Sequence, residues 1–225
     1  MKKFAILVAG GVGTRMQSAT PKQFLLLRGE PVIVHTIRAF FNYAADLTMV
    51  IVLPREHQDP GHDIVREYFD TQKTQIKFCV GGASRFQSVL NGLKEIPEDG
   101  LVAIHDAVRP MITPVEIAST FDLAERFGSG VLVTQVKESL RKIKGQRSEA
   151  VDRSLYRSVQ TPQTFSVALL KDAYLQEEIP EFTDDASVFE KAGHTVQLAS
   201  GSYRNIKITT PEDLLAAEVM LSRSG

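Results

Sequence analysis

The chain has 225 residues, of which 43% are hydrophobic and 24% charged, a balance typical of a folded protein and not of a disordered one. Its 26 Lys and Arg residues nearly offset 27 Asp and Glu residues, and the net charge of −1 argues against general nucleic-acid binding. The single cysteine, Cys79, excludes an intramolecular disulfide and a cysteine-based zinc site. No apolar run reaches the roughly 18 residues of a membrane span. The first apolar run, Phe4–Ala9, ends in glycines, which favours a buried strand over a signal peptide, so we expect a cytoplasmic protein.

Short apolar runs alternate with helical patterns along the chain. The predicted strands are Phe4–Ala9, Leu47–Leu53, Gln75–Val80, Leu101–Ile104, Gly130–Thr134, His194–Ala199 and Ile206–Thr209. The predicted helices are Pro31–Phe41, Asp63–Phe69, Ser84–Ile96, Val115–Phe127, Val167–Tyr174, Ala186–Ala192 and Pro211–Leu221. Strands separated by helices predict an α/β fold, with a parallel sheet covered on both faces. Ligands of such sheets bind at the carboxyl ends of the strands, so the loops that follow strands are the informative ones.

The segment from Lys137 to Arg157 interrupts this alternation. It holds seven Lys or Arg residues and three Asp or Glu residues, with polar and apolar residues loosely alternating. An extended hairpin arm and a charged surface excursion account for this pattern equally well. No repeat or low-complexity linker is found elsewhere, so we expect a single domain over residues 1–225.

A glycine-rich loop with two cations follows the first predicted strand. Its glycines permit a tight turn whose amide groups approach a phosphate closely, and Arg15 and Lys22 add fixed positive charge. The loop lacks the Gly-Lys-Ser/Thr of a Walker A motif, and Met16 stands where a dinucleotide fingerprint needs its third glycine. A simple chain reversal is the alternative, but it has no use for two cations. The loop therefore predicts a nucleotide-phosphate site.

Two further motifs follow predicted strands. Gly81-Gly82 could admit a ligand or only begin the next helix, with Ser84 as its cap and Ser88 one turn further on. Asp106 follows the fourth strand, where a carboxylate could hold a metal ion or a ribose hydroxyl. His105 beside it suggests a catalytic base, but we prefer a structural or orienting imidazole.

Three polar segments nearer the C terminus carry weaker signals. Thr161-Pro162-Gln163 and Thr183-Asp184-Asp185-Ala186-Ser187 offer hydroxyls and carboxylates before helices, and N-capping alone would account for both. Lys207 lies within a predicted strand, where a lysine is often only an edge residue.

In this order along the chain, the motifs resemble those of the sugar-phosphate nucleotidyltransferases, and more narrowly of the 2-C-methyl-D-erythritol 4-phosphate cytidylyltransferase family. The resemblance extends from about Phe4 to Leu221. It implies a Rossmann-like, mostly parallel sheet flanked by helices, of the nucleotide-diphospho-sugar transferase type, with an extended β-arm for dimerisation at about 137–157. The segments that carry it are Ala9-Gly10-Gly11-Val12-Gly13-Thr14-Arg15-Met16, Pro21-Lys22-Gln23-Phe24-Leu25, Gly81-Gly82, Ser88-Val89, His105-Asp106-Ala107-Val108-Arg109-Pro110, Val151-Asp152-Arg153, Gln160-Thr161-Pro162-Gln163, Thr183-Asp184-Asp185-Ala186-Ser187 and Asn205-Ile206-Lys207-Ile208-Thr209.

The family transfers a cytidylyl group from CTP to a polyol phosphate, 2-C-methyl-D-erythritol 4-phosphate, in the non-mevalonate isoprenoid pathway, and releases pyrophosphate. It requires Mg²⁺ or another divalent cation. The resemblance implies that Arg15 and Lys22 are catalytic and contact the CTP phosphates. The implied nucleotide-binding residues are Ala9, Gly10, Gly11, Gly13, Gly81, Gly82, Ser88 and Asp106. The implied substrate-binding residues are Arg109, Ser139, Arg153, Thr161, Thr183 and Lys207.

Two implied features concern the metal and a second subunit. Asp106 would serve the metal, directly or through phosphates and water. The family is a homodimer, and by resemblance Ser139 and Arg153 reach the site of the partner. Ser139 stands where the family often has threonine, Val108 where it commonly has alanine and Tyr156 where tryptophan is frequent. None of these departures removes a proposed charge.

Other functions remain as alternatives. A D-ribitol 5-phosphate cytidylyltransferase would share the CTP loop, although the segment 183–187 favours the methylerythritol enzyme. A non-catalytic nucleotide-binding module leaves Arg15, Lys22 and Asp106 without a purpose, and Met16 opposes a nicotinamide oxidoreductase. Because a phosphate monoester is already a dianion near neutral pH, the predicted cytidylyl transfer needs no general base. It needs cations that offset charge during one in-line displacement.

Overall fold

A computed structural model describes residues 1–10, 16, 18, 20–96 and 99–222. Within these residues the strands, in chain order, are β1 (Lys3–Val8), β2 (Leu26–Leu27), β3 (Glu30–Pro31), β4 (Thr48–Leu53), β5 (Ile76–Val80), β6 (Leu101–Asp106), β7 (Ser129–Gln135), β8 (Leu140–Lys144), β9 (Arg147–Val151), β10 (Arg157–Ser166) and β11 (Leu198–Ser200). The helices are α1 (Val32–Tyr43), α2 (Gln58–Tyr68), α3 (Arg85–Lys94), α4 (Pro114–Phe127), α5 (Val167–Ala173), α6 (Asp185–Lys191) and α7 (Pro211–Ser222). None of these helices is both long and apolar enough to cross a bilayer.

The described strands form a central sheet in the order β11-β7-β10-β6-β1-β4-β5. Strand β10 runs antiparallel to both of its neighbours, and the other neighbouring pairs are parallel. The predicted α/β fold with a mostly parallel sheet is therefore confirmed. The alternation of strands and helices explains the parallel pairing, because each helix that connects two parallel strands crosses over and covers one face of the sheet.

The two faces of the sheet bury different residues of the same strand. In β1, Ala5 and Leu7 pack into a core with α1 and α4, whereas Phe4 and Ile6 pack into a second core with α3. Side chains of a strand alternate between faces, so one short apolar run supplies both cores. A smaller third core joins α7 to the segment before it through Ala217 and Ile208.

Strand β10 was not predicted, because its middle carries polar residues and Pro162, which are typical of turns. The strand is nevertheless buried from Gln160 to Phe165, between β6 and β7. Its register against β7 shifts between Val159 and Gln163, and this irregularity accommodates a proline that has no N–H to donate. The interpretation of Thr161 as a helix cap is therefore wrong.

Three of the predicted elements also have different bounds or a different conformation in the structure. Helix α2 begins at Gln58 and not at the predicted Asp63. Pro60 is accommodated in its first turn, where a missing backbone N–H costs little. The predicted strand 194–199 is reduced to the start of β11 at Leu198. The predicted strand 206–209 is irregular chain that bonds to a neighbouring loop, from the Ile208 N–H to the Val108 carbonyl at 2.9 Å.

The charged segment forms a hairpin, with β8 paired to β9 and Gly145 in the turn at φ 59°. Residues 141–150 are exposed throughout. Of the two sequence interpretations, the structure favours an extended hairpin. Its role in dimerisation stays a prediction.

Candidate active site

Three loops meet at the carboxyl edge of the sheet. The Ala9 N–H donates to the Val52 carbonyl at 2.9 Å, and the Gly81 N–H donates to the Leu53 carbonyl at 2.9 Å. The Ala107 N–H donates to the Val8 carbonyl at 3.1 Å. Parallel strands end at the same edge, so these bonds bring together loops that are far apart in sequence.

The first cavity, of about 320 Å³, opens between these loops. Its lining includes the predicted catalytic residue Lys22. Five of the predicted nucleotide-binding residues also line it: Ala9, Gly10, Gly82, Ser88 and Asp106. The predicted site residues Gly11, Gly13 and Arg15 lie outside the described residues.

The Gly81-Gly82 turn is held by hydrogen bonds to the start of α3. The predicted cap is confirmed, because the Ser84 hydroxyl accepts from the Gln87 N–H at 3.0 Å. The Ser88 hydroxyl donates to the Ser84 carbonyl at 2.8 Å and accepts from the Gly82 N–H at 3.1 Å. A Cβ at Gly82 would lie 2.2 Å from the Gln87 Cβ, and one at Gly81 would lie 3.2 Å from the Ser88 Oγ. The turn thus has a structural reason for glycine in addition to any ligand.

A second cavity, of about 290 Å³, lies beside the first. Four predicted substrate-binding residues line it: Arg109, Thr161, Thr183 and Lys207. Arg85, Asp106 and Lys207 line both cavities and form a shared wall of three charges. The site therefore has two compartments that meet at this wall.

The Asp106 carboxylate is the electrostatic centre of the shared wall. It is buried, and its Oδ2 lies 3.1 Å from the Arg109 Nε and 3.1 Å from the Lys207 Nζ. Burial alone would raise the pKa of this carboxyl. The charges of Lys207, Arg85 and Arg109 outweigh burial and hold the pKa of Asp106 well below its usual range. Lys207 is thus an ion-paired site residue and not an edge lysine of a strand.

His105 has the surroundings of a structural imidazole. It is completely buried, its ring lies 5.3 Å from the Phe40 ring, and its Nε2 lies 3.4 Å from the Arg109 carbonyl. Burial lowers the pKa of His105 to about 3, so the ring is neutral near pH 7. His105 lines neither cavity. These observations support an orienting role and oppose a catalytic base.

Thr161 positions the backbone of Asp106. Its hydroxyl accepts from the Asp106 N–H at 3.1 Å, and its carbonyl accepts from the Asn205 side-chain amide at 2.8 Å. Asn205 is fully buried, and its own carbonyl accepts from the Arg109 Nη1 at 2.8 Å. The sequence analysis named Asn205 only as the first residue of the segment 205–209 and gave it no role of its own.

The segment 183–187 caps helix α6, as its simpler interpretation predicted. The Asp184 carboxylate accepts from the Ser187 N–H at 2.9 Å, and the Ser187 hydroxyl reaches back to the Asp184 backbone. The neighbouring Gln163 side chain donates to Asp184 at 2.8 Å. The motif therefore fixes the edge of the second cavity whether or not Thr183 contacts a ligand.

Sequence reasoning missed an ion pair behind the shared wall. The Arg85 guanidinium donates to both oxygens of Asp185, from Nη1 at 2.9 Å and from Nη2 at 2.5 Å. The Tyr174 hydroxyl donates to the same carboxylate at 2.6 Å. The sequence analysis also gave no role to Gln23, which is buried and donates from its Nε2 to the Ala9 carbonyl at 3.1 Å. No sequence pattern links residues so far apart in the chain.

Ser139 and Arg153 line neither cavity of their own chain. Both are exposed and line a separate groove at the base of the hairpin. Arg153 donates to the Lys137 carbonyl, and the Lys137 ammonium lies 3.5 Å from the centroid of the Tyr203 ring. The base of the hairpin is therefore held to the body of the protein. The predicted role of both residues in a partner's site stays a prediction.

Comparisons with known proteins show the family of the chain. Residues 4–223 match the family model described as IspD, 2-C-methyl-D-erythritol 4-phosphate cytidylyltransferase. The protein of that name from Bacteroides thetaiotaomicron is 47% identical over 98% of this chain and 100% of its own length. That from Bacillus velezensis is 38% identical over 100% of this chain and 98% of its own.

Solved structures show the same fold. The 4-diphosphocytidyl-2C-methyl-D-erythritol synthase of Anaerococcus prevotii matches with a TM-score of 0.84 at 26% identity, over 98% of this chain and 96% of that one. The 2-C-methyl-D-erythritol 4-phosphate cytidylyltransferase of Thermus thermophilus matches with a TM-score of 0.76 at 29% identity, over 96% and 98%. By its match to the family model over residues 4–223 and its similarity to relatives over nearly its whole length, the chain belongs to the 2-C-methyl-D-erythritol 4-phosphate cytidylyltransferase family.

Proposed function

We propose that this protein transfers a cytidylyl group from CTP to 2-C-methyl-D-erythritol 4-phosphate and releases pyrophosphate. The observation that carries the proposal is the pair of cavities that share Arg85, Asp106 and Lys207. One cavity holds CTP beside Lys22 and the glycine-rich turns, and the other holds the polyol phosphate. The phosphate of one substrate then meets the α-phosphorus of the other at the shared wall.

The reaction is one in-line displacement. An oxygen of the polyol phosphate forms a bond to the α-phosphorus, and the bond from that phosphorus to the β-phosphate oxygen breaks. The bonding electrons leave with pyrophosphate. The barrier arises chiefly from bringing two anions together, so fixed cations lower it. Lys22 offsets negative charge on the CTP phosphates, and Lys207 offsets negative charge where the two phosphates meet.

Asp106 is the proposed protein ligand of a divalent cation. Among the residues that the structure describes, no group of three or more His, Cys, Asp or Glu side chains could hold a metal ion. Mg²⁺ commonly binds through one or two carboxylates, substrate phosphates and water, and a single carboxylate fits that pattern. Both cation contacts of Asp106 use Oδ2, so its Oδ1 is the proposed ligand atom. When bound, the cation would offset negative charge on the phosphates.

We propose that the chain is one catalytic domain that works as a cytoplasmic homodimer, with the hairpin 137–157 as its arm. A two-stranded hairpin is marginal by itself, and this one exposes the apolar side chains of Ile143, Leu155 and Tyr156. A partner subunit that covers these residues would receive Ser139 and Arg153 at its own second cavity, the one proposed to hold the polyol phosphate. Sedimentation equilibrium tests the dimer, and a monomer at micromolar concentration would contradict it.

The proposed reaction is tested by pyrophosphate release with CTP and Mg²⁺, comparing 2-C-methyl-D-erythritol 4-phosphate with D-ribitol 5-phosphate. We expect fast release with the first substrate only, and loss of release when a chelator removes the divalent cation. Release only with ribitol phosphate would preserve the CTP site and change the acceptor. Nucleotide binding without release from either acceptor would favour a non-catalytic module.

A further inference from the structure

The Arg85 guanidinium is held in one orientation from behind. Asp185, whose side chain is completely buried, accepts from two of its nitrogens at 2.9 and 2.5 Å. The Tyr174 hydroxyl donates to the Asp185 Oδ1 at 2.6 Å, and the Tyr174 ring stacks on Phe86 with centroids 4.6 Å apart. Arg85 is the first residue of α3 and Asp185 the first residue of α6, so the ion pair joins two helices whose first residues lie 100 residues apart in the sequence.

The two members of the Arg85–Asp185 ion pair have different access to the cavities. Asp185 lines neither cavity, whereas Arg85 lines both of them and its side chain is 29% exposed. A bidentate pair uses two of the five N–H donors of a guanidinium, and the others remain for a ligand. Burial and Asp185 together raise the pKa of Tyr174 well above its usual value, so its hydroxyl stays a donor at any working pH.

Stability alone is a weak explanation for this arrangement. A buried ion pair often contributes no more than well-packed apolar residues of similar size, because both charges lose their hydration. What the pair does provide is a planar donor group fixed at the boundary of two cavities, each of which is proposed to hold a phosphate-bearing substrate. Arginine binds phosphate through such a fork, and small errors in the alignment of reacting groups cost large factors in rate.

We propose that Asp185 and Tyr174 are positioning residues, which fix the Arg85 guanidinium where it contacts the two reacting phosphates and keeps them in line. This inference rests on the proposed cytidylyl transfer. It assigns Arg85 to the catalytic groups, and it gives the buried acid of the segment 183–187 a role that capping does not explain. Asp184 caps α6, and Asp185 acts on the reaction through Arg85.

The test is a set of coupled variants assayed with CTP, Mg²⁺ and 2-C-methyl-D-erythritol 4-phosphate. We expect Arg85→Ala to lower kcat by about 100-fold or more, as for the loss of one preorganised donor. We expect Asp185→Asn to lower kcat by about 10–100-fold and Tyr174→Phe by about 3–10-fold, with the KM for CTP changed by less than about threefold. In the Arg85→Ala background, neither second substitution should lower kcat further.

The controls separate positioning from folding. Tyr174→Phe keeps the ring stack and removes one oxygen, so it tests the proposal even if Asp185→Asn does not fold. Asp70→Asn removes an exposed partner of Lys73 on the far side of the protein and should leave kcat unchanged. Losses that multiply in the double variants, or single variants with wild-type kcat, would overturn the positioning role. A wild-type enzyme that releases no pyrophosphate would instead overturn the proposed function, and the positioning role with it.

Discussion

Replacing Asp106 by asparagine removes the negative charge at the centre of the shared wall while preserving its shape. In the wild-type protein the side chains of Asp106 and Arg109 are 9% and 12% exposed, and their contact is 3.1 Å. Lys207 makes the second contact to the same oxygen, but its side chain is 41% exposed. The substitution therefore leaves one nearly buried cation and one partly hydrated cation without their counter-ion.

The expected loss of stability follows from these exposures. Breaking a buried pair by removing one partner costs about 3–5 kcal/mol. Arg109 keeps its bond to the Asn205 carbonyl, and the new amide offers an oxygen, so we expect the lower end, about 3 kcal/mol. The partly exposed Lys207 adds less than about 1 kcal/mol. With a urea dependence of about 3 kcal/mol per molar, the unfolding midpoint should fall by about 1 M.

Urea unfolding followed by circular dichroism at pH 7 measures this shift. Asp63→Asn is the matched control, because it breaks an exposed pair with Arg66 and should change stability by less than about 0.5 kcal/mol. Because the folded pKa of Asp106 is lowered, its contribution is complete above about pH 4, the usual range of the unfolded carboxyl. The difference between wild type and variant should be constant from pH 5 to 8 and shrink only in stronger acid. A midpoint shift below about 0.3 M, or a difference that grows on acidification, would refute the reasoning.

Three further outcomes are expected. Lys22→Ala should lower kcat by about 10²–10³, because one preorganised cation beside the phosphates is lost, and near-wild-type turnover would remove Lys22 from the catalytic groups. Arg153→Ala should raise the KM for the polyol phosphate more than the KM for CTP in steady-state assays, whereas equal effects would contradict a substrate-side role. Because burial lowers the pKa of His105 to about 3 while the unfolded ring titrates near 6.5, the unfolded chain binds the extra proton between these values. The free energy of unfolding should therefore fall by about 2 kcal/mol through this group between pH 7 and 5. The urea midpoint of His105→Gln should lack this part of the pH dependence. Identical pH dependences in wild type and variant would contradict the assignment.

Much of the fold could be predicted from the sequence because its signals are local. The run Phe4–Ala9 is apolar on consecutive residues, as expected of a strand that is buried on both faces, and β1 lies there. The cap at Ser84 depends on a bond within one helical turn, so the residue type was enough to predict it. The sequence also predicted a turn at the glycines 81 and 82. The structure gives its reason, because a Cβ at Gly82 would meet the adjacent helix.

What failed was the interpretation of residues whose partners are distant. Thr161 has the residue type of a cap, but Asp106 and Asn205 hold it inside a strand whose polar residues pair across the sheet. Ile206–Thr209 has the composition of a strand, yet the contacts around Lys207 leave it irregular. Local propensity is a weak guide when tertiary hydrogen bonds decide the conformation.

The sequence by itself therefore predicted the fold class through its periodicity, and it predicted the family and the charged residues of the candidate site through the resemblance of its ordered motifs to that family. Only the tertiary structure decided how those charges are used. It showed that Asp106 is paired with Arg109 and Lys207, that His105 is buried and neutral, and that Asp185 holds Arg85 at the boundary of two cavities. The physical reason is that ion pairing and desolvation depend on distances between groups that the chain brings together only when it folds.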